Sequence, residues 1–390
     1  MKSHAQSQKH PLAASGVRTR VARLTHTLFG AGSALLVIVW FAGWWLTDRW
    51  LLTQYAWWGG LAIIGAAVVL AAISVAIRRM ARPPRPRSRV GRAIWVGIAV
   101  GLALEAWHQF NCSSLLRPTS VARSAELSIV HCNLGVEGTS RDESQAFARR
   151  LVSTGQPDIL VISIANYPVQ WAALRSAMGH TAAHPVEVTE GPIGKIFSTW
   201  PVTSSRAFVI PTLPEWAIDP PEWLQRAIGS GQKLAGIQRR NLERFEPTFI
   251  HAVTLDTTAK IGRPFTLYFV DYPSSPLIRR AAVAAAVRQR MNQMMNPTIP
   301  GEKPVPPPDL IIGDFNTPRG SASLRSIMPG FAPATDAAGL GLLGTFPRGT
   351  PLLHIDNALV SPDWRTTAYT TIDPGIGEHR AQSLRISPAP

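Results

Sequence analysis

Cysteine is almost absent from this sequence. Two thiols, Cys112 and Cys132, stand in 390 residues, too few for a disulfide framework and not at metal-ligand spacing. Two free thiols, or one bridge in an oxidising compartment, both agree with that count. Charge is also sparse, at 16% of residues against 46% hydrophobic, which is apolar for a purely soluble chain. Acids are scarcer than bases, 24 against 39 Lys and Arg, for a net charge of +15. That excess is local: residues 1–116 hold 13 of the cations and two of the acids, Asp48 and Glu105, whereas 117–390 hold 26 and 22. The near balance over 117–390 disfavours a tight duplex-DNA binder, which usually carries a basic face, and leaves nucleic acid as a less favoured partner. Internal repeats are missing too.

What the sequence does have is long uncharged runs. Thr27 to Leu46 is 20 residues without a charge, closing on Trp44 and Trp45; at about 1.5 Å per residue it covers the ~30 Å of a bilayer core. Ala56 to Ile77 is a second run, opened by Trp57 and Trp58, an aromatic pair of the kind found at headgroup depth. A third, about 93–110, is interrupted by Glu105 and reads either as a span or as a buried helix. Basic residues precede the first run (Lys2, Lys9, Arg18, Arg20, Arg23) and separate the second from the third (Arg78 to Arg92), while only Asp48 and Arg49 lie between the first two. Three spans then give an integral membrane protein of the cell or inner membrane, with a cytoplasmic basic tail (1–24) and membrane domain (25–111). A linker (112–124) leads to an extracytoplasmic domain over 125–387. A cleaved signal peptide fits poorly, and Arg82 to Arg92 serves as a topology determinant or a contact for anionic lipid.

After the linker, short strand-like runs alternate with helical ones. Glu126–Cys132, Asp158–Ile164, Gly194–Ser198, Ser205–Ile210, Thr248–Leu255, Phe265–Val270, Asp309–Ile312, Asn357–Val360 and Ser383–Ile386 read as strands. Ser140–Thr154, 222–242 and 277–294 read as helices, the first opened by a Ser cap. Many strands with few helices predict an α/β sandwich rather than a doubly wound sheet. The segment 211–247, with Trp216, Trp223, Arg239 and Arg240, reads as an insertion that packs as a helical hairpin, covers a cleft or dips into the membrane surface. His180 and His184 read as surface histidines rather than a ligand pair.

The most informative segment is Pro308-Asp309-Leu310-Ile311-Ile312-Gly313-Asp314-Phe315-Asn316-Thr317-Pro318. An apolar strand runs into Asp314 and Asn316, which at i, i+2 point to one side. Such a pair caps a turn, or holds a hard cation or a phosphate oxygen. Gly-Asp-Phe-Asn resembles the signature of the endonuclease/exonuclease/phosphatase superfamily. Three further segments follow in that family's order: His131-Cys132-Asn133-Leu134, Ile355-Asp356-Asn357 and Gly377-Glu378-His379-Arg380. The resemblance implies a DNase I-like, four-layer α/β/β/α sandwich following three transmembrane helices. It implies a phosphoester hydrolase (phosphodiesterase, nuclease or phosphatase) using Mg²⁺ or Mn²⁺. Asp314 would orient the water, Asn133, Asn316 and His379 would meet the phosphate, and Asp356 would hold the His379 ring.

The departures weigh as much. Where the family's second strand ends in a metal-binding Glu, this chain has Ser163 or Ile164, and Asp271 stands where His is usual. Asn357 replaces His or Tyr, and Glu378 replaces Asp. One reading has Asp271 and Glu378, with Asn133, supply a changed metal site. The other has the fold persist as a module binding a phosphorylated ligand or a protein partner. A transporter fits poorly, because three helices with Glu105 as their one acid give little room for a pathway. The substrate expected of a tethered enzyme is a lipid headgroup, sugar phosphate or nucleotide, rather than duplex DNA.

Overall fold

The computed structural model describes residues 12–80, 89–116, 125–134, 140–163, 168–179, 186–192, 194–210, 248–275 and 278–389, with side chains from residue 20 onward. The readings for 211–247, His180, His184, Ile164 and most of the Arg82–Arg92 stretch lie outside the described residues. The chain forms two compact units, Met1–Thr47 with Tyr55–Ala106, and Asp48–Gln54 with Trp107–Pro390. Asp48–Gln54 and Trp107–Asn111, placed with the membrane domain by their sequence, thus belong to the second unit.

In the first unit, Leu12–Leu46, Gly60–Met80 and Arg89–Gln109 are helices, and all three are long and apolar enough to cross a membrane. They pack on an apolar cluster of Val37, Trp40, Ile64, Ala67, Ala71 and Ile98, and expose further large apolar residues on the outside. Leu28, Leu35, Ile38, Val69, Val96 and Leu102 face outward, while polar groups pair inside: Ser33 Oγ donates to Ala67 O at 2.9 Å and Trp40 Nε1 to Glu105 Oε1 at 2.7 Å. In hydrocarbon, polar side chains are cheapest when they bond to a neighbouring helix. Glu105 is thereby accommodated, not a break in the third helix.

The second unit is built on two mixed six-stranded sheets. The strands are β1 (Leu127–Asn133), β2 (Ile159–Ser163), β3 (Glu187–Gly191), β4 (Gly194–Ser198), β5 (Val202–Val209) and β6 (Phe249–Leu255). They continue with β7 (Phe265–Asp271), β8 (Leu310–Asp314), β9 (Ala332–Pro333), β10 (Asp356–Val360), β11 (Trp364–Ile372) and β12 (Ala381–Pro388). The strand orders are β11-β12-β1-β2-β4-β3 and β5-β6-β7-β8-β10-β9. Alternation along the strands decides the layers. Leu127, Ile129, Ile159 and Val161 meet Phe265, Leu267, Phe269, Leu310 and Ile312 between the sheets. Val130, Leu160 and Ile162 point outward to Phe147, Leu151 and Leu174 of the helices Arg141–Gly155 and Pro168–Gly179. Tyr268, Val270 and Ile311 point outward to Val283, Val287 and Met291 of the helix Arg280–Met295. With helices on both outer faces the central strands are apolar on both sides, and the unit is the expected α/β/β/α sandwich.

Local chemistry agrees. Ser140 caps the helix Arg141–Gly155 in a reciprocal box with Glu143. Gly313 lacks a Cβ where one would strike the Val270 carbonyl oxygen of β7, which explains the glycine before Asp314.

Candidate active site

The two sheets run out of apolar residues at one end, and the inward-facing positions there turn polar. On the second sheet β7, β8 and β10 bring Asp271, Asp314 and Asp356 into register as a single row, Asp314 in the middle. On the first, β1 continues Leu127 and Ile129 with His131 and Asn133, and β2 continues Ile159 and Val161 with Ser163. Three carboxylates side by side repel one another, so the row needs partners from across the gap.

Asn133 supplies one, donating from Nδ2 to Asp314 Oδ2 at 2.9 Å. The other oxygen, Oδ1, accepts the Asn316 backbone N–H at 2.8 Å. Asn316 takes a left-handed conformation (φ 45°), which Asn tolerates better than most residues, and its Nδ2 donates to Tyr272 O at 2.8 Å. His379, from the loop before β12, places Nδ1 2.8 Å from Asp356 Oδ2 and 3.9 Å from Asp314 Oδ2. Its Nε2 has no partner among the described residues. Phe346 lies against the ring, and Thr345 Oγ1 accepts the Asp356 backbone N–H.

Electrostatics follow from this burial. Asp314 is pushed up to about 7 by desolvation and by the Asp356 charge. For Asp356 burial acts upward too, but the charge and hydrogen bond of His379, then His131, prevail and the carboxyl is lowered. Burial alone would depress His379, yet Asp356 and then Asp314 raise it to about 9. The end of the sandwich thus favours an imidazolium–carboxylate pair, His379 with Asp356, beside an Asp314 carboxyl whose ionisation burial disfavours.

Asp314, Asp356 and His379 each offer a ligand atom within 4.8 Å of the others. Two oxygens beside this group, Asn133 Oδ1 and Asp356 Oδ1, are buried without a hydrogen-bond partner. Unpartnered buried oxygens are costly unless something fills them. Oxygen donors of this kind, with one or two carboxylates, suit a hard divalent cation that keeps part of its water. Of the three expected ligands, Asn133 lies beside this group, bonded to Asp314 and with Oδ1 unpartnered. Asp271 shares the row but stands outside the three-residue group, and Glu378 is exposed; its side chain follows a solvent-facing turn, not the pleat that aims the aspartates inward. Asn357 is buried and turned away, its Nδ2 donating to Thr317 O and Ile355 O.

Position 163 has a different chemistry from the one expected of the second strand. Gln382 Nε2 donates to Asn357 O and to His131 Nδ1, both at 3.1 Å, so the ring proton sits on His131 Nε2 and is given to Ser163 Oγ at 3.0 Å. Burial depresses His131 to about 4, keeping it neutral. Tyr369 OH donates to Gln382 Oε1 and lies 3.2 Å from His354 Nε2. No role was assigned to His131, Gln382, Tyr369 and His354 from the sequence. The signal was present for His131, which sits two residues before Asn133 on the same face.

No protein-family model matches the chain, and no curated protein matches it. Solved structures do. An endonuclease/exonuclease/phosphatase family protein of Bacteroides thetaiotaomicron is 13% identical, with 68% of this chain and 98% of that one covered and a TM-score of 0.44. A family member from Bacteroides vulgatus gives 13%, 68%, 99% and 0.45. A mannosyl-6-phosphatase of Bacteroides thetaiotaomicron gives 12%, 67%, 99% and 0.44.

Proposed function

We propose that the sandwich is a phosphoester hydrolase whose reacting groups are Asp314, Asp356 and His379. The observation that carries this reading is the buried His379–Asp356 pair beside an Asp314 carboxyl raised to about 7. A general base works best near the ambient pH. Asp314 takes a proton from water as the new P–O bond forms, and the ester oxygen leaves with the electron pair of the bond that breaks. The His379 imidazolium, oriented by Asp356, meets the charge building on the phosphoryl oxygens, and the Asn133 and Asn316 carboxamides hold the phosphate. A divalent cation, Mg²⁺ or Mn²⁺, would be held at Asn133 Oδ1 and Asp356 Oδ1. When bound it neutralises phosphate charge. The basic residues before the first span and between the second and third support an outward-facing site, and the near balance of charge over 117–390 supports a small or lipid-linked phosphoester over duplex DNA.

A second reading, a module that binds a phosphorylated ligand without turning it over, is favoured by Ser163 standing where a metal-binding carboxylate is expected. Turnover of bis(p-nitrophenyl) phosphate by the intact chain in detergent with Mn²⁺ separates them. The hydrolase reading expects turnover that falls by at least about a hundredfold in Asp314→Ala. Turnover that survives Asp314→Ala rejects it, and absent turnover with retained vanadate binding selects the binding module.

A further inference from the structure

Most residues of the site belong to the strands, but one element of its scaffold comes from far away in the chain. Gln54 is fully buried, and a buried carboxamide must be satisfied at both ends. Its Nε2 donates to Ile278 O at 3.1 Å, and its Oε1 accepts the Arg280 backbone N–H at 2.9 Å. That N–H opens the helix Arg280–Met295, which receives no side-chain cap from Arg279. Gln54 does a cap's work from 226 residues away. Arg280 is itself buried, its guanidinium donating to Pro273 O at 2.6 Å and Ser275 O at 2.9 Å. Immediately before them, Tyr272 O accepts Asn316 Nδ2, and Tyr272 N–H donates to Asp314 O at 2.8 Å. The described residues after Asp271 are thus tied at 278 and 280 by Gln54 and at Tyr272 by the site's own Asn316. Asp48 adds a second tie from the same stretch, accepting the Ser323 backbone N–H at 3.1 Å and the Ser323 hydroxyl.

We propose that Gln54, in the segment joining the first and second apolar helices, is a positioning residue of the phosphoester site, acting through Arg280 and Tyr272 on Asn316 and Asp314. The inference rests on the site reading given above. It implies that a chain begun after residue 54 lacks part of the site's scaffold.

The test uses the full chain in detergent and two readouts, hydrogen exchange by segment and hydrolysis of bis(p-nitrophenyl) phosphate with Mn²⁺. Gln54→Leu removes both polar ends at similar size, and Gln54→Glu, kept protonated by its burial, retains an acceptor for the Arg280 N–H and a donor for Ile278 O. Gln54→Leu should speed exchange over 272–280 and 314–317 by about tenfold or more, the effect expected when its two buried hydrogen bonds are lost. The helix Arg141–Gly155 should exchange as in wild type, kcat should fall about tenfold with KM within about twofold, and Gln54→Glu should restore both. If Gln54→Leu does not fold, Gln54→Asn, too short to reach either partner, takes its place with the same expectations. Unchanged exchange at 314–317, acceleration spread equally over Arg141–Gly155, or a Gln54→Glu variant no better than Gln54→Leu would each overturn the proposal. A wild-type chain without turnover would fail the hydrolase reading alone, since the exchange pattern still decides the role of Gln54.

Discussion

Burying Asp314 comes at the cost of stability. With its ionisation raised from 3.8 to about 7, the charged form is disfavoured in the fold, a penalty absent below the unfolded value and fully developed above the folded one. At pH 8 the shift corresponds to an order of 4 kcal/mol. Asp314→Asn removes the charge but keeps an acceptor for Asn316 N–H, and the Asn133 amide can turn its unpartnered Oδ1 toward the new NH₂ group. Asp314→Asn should therefore abolish turnover with Mn²⁺ yet, measured without divalent metal, raise the melting temperature by several degrees at pH 8, with a gain that shrinks toward pH 4. A lower melting temperature at pH 8 would contradict the electrostatics derived for the site. Three buried histidines act in the opposite sense. Burial depresses His131, His251 and His354 from 6.5 to about 4, so the unfolded chain binds more protons between those values and stability is lost as pH falls through that window, on the order of 3 kcal/mol each. Denaturation midpoints should drop from pH 6.5 to 4, and more steeply in Asp314→Asn, which lacks the compensating relief of Asp314.

At the level of elements, what was legible in the sequence was what local chemistry alone decides. The Ser140 cap, the Gly194–Ser198 strand and the run into Gly313-Asp314 depend on short-range spacing, and the structure has them at those places. Ser140→Ala should cost about 1 kcal/mol, read as a shift in denaturation midpoint at unchanged slope. The strands β3 and β11 escaped because they are edges: Glu187-Val188-Thr189-Glu190-Gly191 and the Thr-rich Trp364–Ile372 carry polar residues on a wet face and give no clean alternation. The second run was read as one span from Ala56 but divides at Gly59 into the helices Leu51–Trp58 and Gly60–Met80. The candidate site was half legible. Asn133, Asp314, Asn316, Asp356 and His379 carry their own motifs, whereas the His131–Ser163 and His131–Gln382 bonds join residues 32 and 251 positions apart. Such contacts are created by strand order, which no spacing shows.

For the whole molecule, the uneven charge and the apolar runs divide the chain between helices with outward-facing Leu, Ile and Val and a sandwich with its apolar residues inside. A reporter fused after residue 390 should be active only outside the cytoplasm if three spans cross; a cytoplasmic signal would remove one of them. The sandwich in turn gathers its reactive groups at the polar end of the core, from β1, β8, β10 and the turn before β12. The central claim is that Asp356 and His379 work as one unit beside Asp314. Its most direct test is a double-mutant cycle on the intact chain, measuring phosphodiester turnover for Asp356→Asn, His379→Gln and the pair. Each single substitution should lower kcat by about a hundredfold or more, and the double variant should be no worse than the worse single one. Losses that multiply independently, or turnover that persists without His379, would contradict it.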